Sequence, residues 1–99
     1  MTTERLPSIH PGEILRLDFL EPMGIRYNRI SIDIGVSATR TSEILNGKRG
    51  ISADTAIRLG RYFGNSPQFW MNLQAHYDIR RAASENQEAY DRILTVGAA

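Results

Sequence analysis

Residues 27–46 read YNRISIDIGVSATRTSEILN, and the spacing within them decides the fold. Apolar side chains stand at Ile30, Ile34, Ile44 and Leu45, a 3.6-residue rhythm that breaks at Gly35 and resumes after Ser37. Two short helices joined by one tight corner satisfy that rhythm. Glycine at the corner supplies the positive φ that ends a helix, Val36 turns inward as a plug, and Ser37 caps the free N–H groups of the second helix. The spacing is that of a helix-turn-helix, whose second helix offers its N-terminal residues to the DNA major groove while the first crosses the phosphate backbone. That second helix carries Thr39, Arg40, Ser42 and Glu43, with Ser37 at its start and Asn46 at its end. These six are candidate DNA-binding residues.

A helix, a glycine and another helix also occur in all-α domains that never meet nucleic acid, so the charges must be consulted. The 12 basic and 11 acidic side chains nearly cancel over the 99 residues. Their distribution is uneven. Residues 26–62 hold seven basic side chains against three acidic ones, a net of +4, between flanks at −2 and −1. A positive middle therefore coincides with the helix-turn-helix, as attraction to phosphate requires. Within it, Asn46-Gly47-Lys48-Arg49-Gly50 is a loop with glycines flanking two cations. Lys48 and Arg49, with Arg29, are the candidate phosphate ligands, although the same residues suit an ordinary turn between helices.

Ninety-nine residues make one domain with one core. The chain contains no cysteine, so hydrophobic packing must hold it without disulfides or a thiolate metal site. It shows neither a secretory signal nor an apolar run near 18 residues, and a soluble, cytoplasmic protein with no membrane partner is expected. We expect an all-α, five- or six-helix repressor-like domain over residues 1–99: an arm (1–9), a four-helix core (10–64) and C-terminal helices (65–99).

In chain order, His10 precedes Pro11 and Glu13, which suit the start of a first helix running to about Leu20 and closed by Glu21-Pro22-Met23-Gly24. The second helix begins near Tyr27 without a good cap, because Arg26 stands where serine or aspartate is favoured. Ser31 and Thr41 are each expected to bond a carbonyl one turn earlier. Ser52 caps a fourth helix whose inward stripe is Ala56, Leu59, Gly60 and Phe63, stopped by Gly64. Ser66 and Pro67 start a fifth helix reaching about Ala83, with Phe69, Leu73 and Tyr77 on one face and Trp70 beside them. Ser84 to Gln87 has the form of a capping box, which predicts a sixth short helix carrying Tyr90, Ile93 and Leu94.

The segments HPGEIL and NGKRGISADTAIRLGRYFGNSPQFWMNLQAHYDIR, with the helix-turn-helix between them, resemble the HigA (VapI-type) antitoxins, repressor-like proteins of bacterial toxin–antitoxin operons. The most specific part is the run from Gly64 to Arg80, in which Phe69-Trp70, Leu73-Gln74 and Tyr77-Asp78 follow directly on a repressor-type helix-turn-helix. The sequence departs from the family pattern at Arg26, Tyr27, Ser31, Ile32 and Thr41. The resemblance implies a homodimer that binds double-stranded operator DNA, represses its own operon and neutralises a cognate HigB-like, mRNA-cleaving toxin of the RelE class.

Two other functions compete. His10 and His76 are the only histidines, and no metal-ligand spacing, phosphate loop or nucleophile beside a base accompanies them, which disfavours an enzyme and implies no cofactor. A stand-alone phage-type repressor without a toxin, or a protein-interaction module without DNA, fits the same helices. A dimer follows from geometry, because one helix-turn-helix reads few base pairs and two recognition helices must sit about 34 Å apart. The interface then lies away from the recognition helix, and Trp70, Leu73, Tyr77, Tyr90, Ile93 and Leu94 are its candidates, although Trp70 and Leu73 equally suit the intramolecular core.

Overall fold

The His10 side chain opens the first helix. Its Nδ1 accepts the Gly12 N–H at 2.9 Å, satisfying one of the donors that every helix start leaves free. In the computed structural model, which describes residues 9–97, helix α1 comprises α-helical Pro11–Ile14, a wider π-helical Leu15–Leu20 and α-helical Glu21–Met23. All of the expected N-terminal arm except Ile9 lies outside the described residues.

Four further helices follow: α2 (Tyr27–Ile34), α3 (Ala38–Leu45), α4 (Ala53–Phe63) and α5 (Pro67–Asp91). The fold is all-α with five helices, and no strand occurs among the described residues. Caps fall at the expected serines. The Ser52 hydroxyl accepts the Thr55 N–H at 3.3 Å and the Ser66 hydroxyl accepts the Phe69 N–H at 3.2 Å, whereas Arg26 gives α2 no side-chain cap.

Two boundaries differ from expectation. Helix α1 does not stop at Leu20 but continues through Pro22. In the wide turn before it, the Glu21 N–H reaches back five residues to the Arg16 carbonyl. This spacing accommodates a proline ring, which in a regular helix would meet the carbonyl four residues earlier. Helix α5 also runs on, past the supposed cap at Ser84, as far as Asp91, and is bent at Asn86 (φ −133°, ψ 30°). Charged and polar pairs span this region at helical spacing: Arg81 to Glu85 at 3.0 Å, and Gln87 to Asp91 at 2.8 Å. Ile93 and Leu94 consequently lie beyond the last helix rather than on a sixth one.

The core joins all five helices through Leu15, Leu20, Ile30, Ile34, Ile44, Ala56, Leu59 and Trp70, with Val36 and Ile51 supplied by the loops. Trp70 is wholly enclosed. Its ring lies 5.0 Å from both Phe19 and Phe69, and its Nε1–H donates to the Asn65 Oδ1 at 2.8 Å. This corrects its assignment to an intermolecular interface: the indole finds its apolar surroundings and its polar partner inside the chain.

Helix α1 crosses the end of α3 so closely that a Cβ on Gly12 would collide with the Ile44 carbonyl. On the other side, Gln74 of α5 is buried under the loop that leaves α3. Its Oε1 accepts the Ile51 N–H at 2.7 Å, and its Nε2 donates to the Asp78 Oδ1 at 3.0 Å. Gln74→Ala strands a buried backbone donor, so urea unfolding should show a loss of about 1–3 kcal/mol. An unchanged midpoint would remove this anchor from the account.

Candidate nucleic-acid interface

The corner between α2 and α3 is built by backbone hydrogen bonds. Gly35 takes φ 73°, its N–H donates to the Ile32 carbonyl at 3.2 Å, and the Val36 N–H donates to the Ser31 carbonyl at 3.0 Å. Val36 is then turned inward and buried. Ser37 caps α3 by accepting the Arg40 N–H at 3.1 Å. The two hydroxyls inside the unit behave as expected: Ser31 donates to the Tyr27 carbonyl at 2.7 Å and Thr41 to the Ser37 carbonyl at 3.0 Å. Both are buried, and each is satisfied within its own helix, so neither leaves an unpaired polar atom between the helices.

Thr41 and Ile44 face inward, which fixes what faces outward. At 100° per residue, Thr39, Glu43 and Asn46 form the outer line of α3, flanked by Arg40 and Ser42. Thr39, Arg40 and Asn46 are exposed, and Ser42 and Glu43 half-covered. The side chains on this face are partly paired already. Asn46 donates to the Ser42 hydroxyl at 3.3 Å, and Arg49 reaches back from the loop to Glu43 at 2.7 Å. Arg29 on α2 is held by Asp33 at 3.0 Å, and Asp33 also accepts the Tyr62 hydroxyl at 2.6 Å. The Tyr62 hydrogen bond, then the Arg29 guanidinium, keep the Asp33 carboxyl below its ordinary value. Among the described residues, the Arg40 guanidinium and the Lys48 ammonium have no such partner.

Several supporting residues escaped the sequence reading. Arg58 of α4 donates to the Ile34 carbonyl at 2.9 Å and pairs with Asp54 at 2.9 Å, tying α4 to the last turn of α2. The Asp54–Arg58 pair has a legible four-residue spacing, whereas the bond to Ile34 spans 24 residues and leaves no local trace. Tyr62 and Gln74 are long-range contacts of the same kind.

The six candidate interface residues do not form one surface. Trp70 is internal; Leu73 packs on the core; Tyr77 lies edge-on to His10, with ring centroids 4.9 Å apart. Tyr90, Ile93 and Leu94 are open to solvent at 43, 71 and 74 % exposure.

No protein-family model matches the chain. Individual relatives do. Virulence-associated protein I of Dichelobacter nodosus is 48% identical over 82 residues, covering 83% of this chain and 76% of the relative. Antitoxin HigA-1 of Vibrio cholerae is 37% identical over 86 residues, covering 87% of this chain and 80% of its own. The chain belongs to the HigA family of antitoxins. A Pseudomonas aeruginosa antitoxin HigA, solved with the higBA promoter, superposes with a TM-score of 0.85 at 45% identity, over 89% of this chain and 96% of that one. The HigA likeness thus takes in both the helix-turn-helix and most of α5.

Within this HigA fold, His10 sits where α1 meets the loop after α3. Burial lowers its pKa from the usual 6.5; the Arg81 charge acts in the same direction, while Asp78, a hydrogen bond to the Arg49 backbone and Glu13 oppose it. A lowered histidine pKa means that the unfolded chain takes up the proton first as pH falls. The stability linked to neutral His10 is therefore fully present above about pH 6.5 and is lost progressively below it, down to the lowered folded value. Protonation would also remove the Nδ1 lone pair that caps α1. His10→Asn keeps a capping oxygen without a titrating ring, so it should flatten the stability profile between about pH 5 and 7 in thermal melts. A slope as steep as the parent's would show that the pH dependence originates elsewhere.

Proposed function

We propose that the chain is the antitoxin and autorepressor of a type II toxin–antitoxin operon, acting as a homodimer on double-stranded operator DNA and neutralising a RelE-like, mRNA-cleaving toxin. The observation that carries the DNA half is the outer face of α3. It is a capped, well-supported recognition helix with Arg40 in its first turn and Lys48 just past its end, both without partners among the described residues. The Pseudomonas aeruginosa relative solved with promoter DNA supports the same reading. The toxin half rests on membership of the family. No described helix is long and apolar enough to cross a membrane, which accords with a site of action beside cytoplasmic DNA. The reading assigns the chain no catalytic step.

Thr39, Arg40 and Ser42 take the groove-edge contacts in this reading, with Ser37, Glu43 and Asn46 around them. An arginine paired bidentately with guanine is worth about 1–3 kcal/mol of discrimination, so Arg40→Ala should weaken operator binding by roughly 5- to 150-fold in a gel shift. Intact affinity and sequence preference would reject the assignment. Arg29 and Arg49 are committed to carboxylates, so Arg40 and Lys48 remain as the two uncommitted cations among the candidate DNA contacts of each protomer. If Arg40 at the base edge and Lys48 on phosphate each displace one counterion, a dimer's log K should fall against log[salt] with a slope of about −4, rather than the −5 or so that three contacts per protomer would give.

For the dimer, the candidate surface is the exposed apolar C-terminal end, where Tyr90, Ile93 and Leu94 gather beyond the bend of α5. Ile93→Glu combined with Leu94→Glu should yield a folded monomer in sedimentation with much weaker operator binding. A folded, dimeric double variant would move the interface elsewhere. Rescue of cells from a RelE-like toxin, where one is encoded beside this gene, by co-expression of the chain tests neutralisation; failure to rescue would leave a stand-alone repressor.

A further inference from the structure

A carboxylate on a DNA-reading face needs a physical reason, because the duplex carries one negative charge about every 1.7 Å along its axis. Helix α3, ATRTSEIL, holds one carboxylate, Glu43, and it lies on the outer line between Thr39 and Asn46. It is not left free. Arg49 reaches it at 2.7 Å from six residues ahead, a separation that a continuous helix would not bring together. The loop makes the contact. The Gly47 N–H donates to the Ile44 carbonyl at 3.1 Å and the Lys48 N–H to the Glu43 carbonyl at 2.8 Å, which turns the chain back over the end of α3. The far end of the loop is fixed by the Gln74 bond to Ile51, at 2.7 Å.

We infer that Glu43 reads the amino group of a cytosine in the major groove and that Arg49 positions it, rather than acting as a phosphate ligand. The inference rests on the DNA-binding reading above and adds a base and a division of labour to it. A carboxylate only accepts hydrogen bonds. In the major groove guanine offers acceptors at N7 and O6, thymine an acceptor at O4, and adenine a donor beside the N7 acceptor. Cytosine alone presents a donor, N4, with no acceptor next to it on the same base. Glu43 therefore meets a favourable edge at cytosine and repulsion at the other bases. Arg49 fixes the carboxylate and offsets its repulsion by the phosphates. Held at 2.7 Å from an opposite charge, the same guanidinium is a poor counterion for DNA.

The test is selection from a randomised duplex library by the full-length protein, comparing the parent with E43Q, R49Q, R49K and K48Q, followed by salt titration on the selected site. The parent should enrich cytosine at one position of each half-site. E43Q should lose that enrichment and admit adenine, which a carboxamide can pair with. R49Q should blunt the preference at that same position by about tenfold, with the salt slope unaltered, and R49K, which retains a cation, should restore part of it. K48Q should instead weaken all sequences together and lower the slope by about two, one contact per protomer. An E43Q protein that selects the parent's sequence overturns the inference. So does an R49Q protein that loses affinity for every sequence equally, with a shallower slope, because that marks a phosphate ligand. A parent that selects no sequence overturns the DNA-binding reading itself, and this inference with it.

Discussion

The carboxamide of Gln74 is the point at which the long C-terminal helix takes hold of the DNA-facing half of the molecule. One end accepts the buried Ile51 N–H and the other, nearer the surface, donates to Asp78, so neither end of this buried side chain is left without a partner. Without it the loop after α3 would be held only by its turn, by the Arg49–Glu43 pair and by the contact of His10 with the Arg49 backbone. The residues around Gln74 extend the same device. Trp70, one turn earlier, is enclosed against Phe19 of α1 and Phe63 of α4; Tyr77, one turn later, lies against His10 at the start of α1. A single stripe with helical spacing thus grips the first helix, the fourth helix and the loop beyond the third. The run Phe69-Trp70, Leu73-Gln74, Tyr77-Asp78 is a brace, and its composition follows from what each position touches.

Charge in the helix-turn-helix is divided in a way that its net value conceals. Three of the six arginines in the positive middle are tied to carboxylates: Arg29 to Asp33, Arg49 to Glu43 and Arg58 to Asp54. These pairs are solvent-facing, so screening by water leaves each of them little weight in the stability of the fold. Their larger consequence is orientation. Asp33, held between Arg29 and Tyr62, links α2 to α4, while Arg58 reaches the last turn of α2 through the Ile34 carbonyl. What remains free for a polyanion is smaller than a count of basic residues suggests, and on the recognition unit itself it is Arg40 and Lys48, at the two ends of α3.

The helices and their caps were legible because their causes are local. Ser37, Ser52 and Ser66 cap the helices expected of them, Gly35 makes the corner, and Ser31 and Thr41 satisfy themselves one turn back. Where two local signals competed, only the packed chain could decide. Pro22 signalled a stop, but the wide turn before it absorbed the ring; Ser84 signalled a start, but Arg81 and Glu85 carried the helix across. The candidate site was legible as a face of α3 and no further. That Arg49 turns towards Glu43, or that Trp70 is enclosed, depends on loop geometry and on residues far away in sequence, and no spacing rule encodes either.

Apolar groups along α5 and just beyond it divide between the packed core and the exposed surface. Its first turns contribute Trp70, Leu73 and Met71 to the core, while Ile79 is already 68 % exposed and Ile93 and Leu94 more so. The molecule is 55 × 29 × 23 Å, and the end of α5 is exposed rather than packed. A chain whose stability needed those distal residues would have folded them back against α1 or α4. It places them instead beyond the bend at Asn86, where the other described residues leave them exposed. The same helix therefore anchors the loop after the recognition helix with its first half and leads, past its second, to an apolar end that the described residues leave exposed, so the proposed association surface and the Gln74 anchor are separate in the structure.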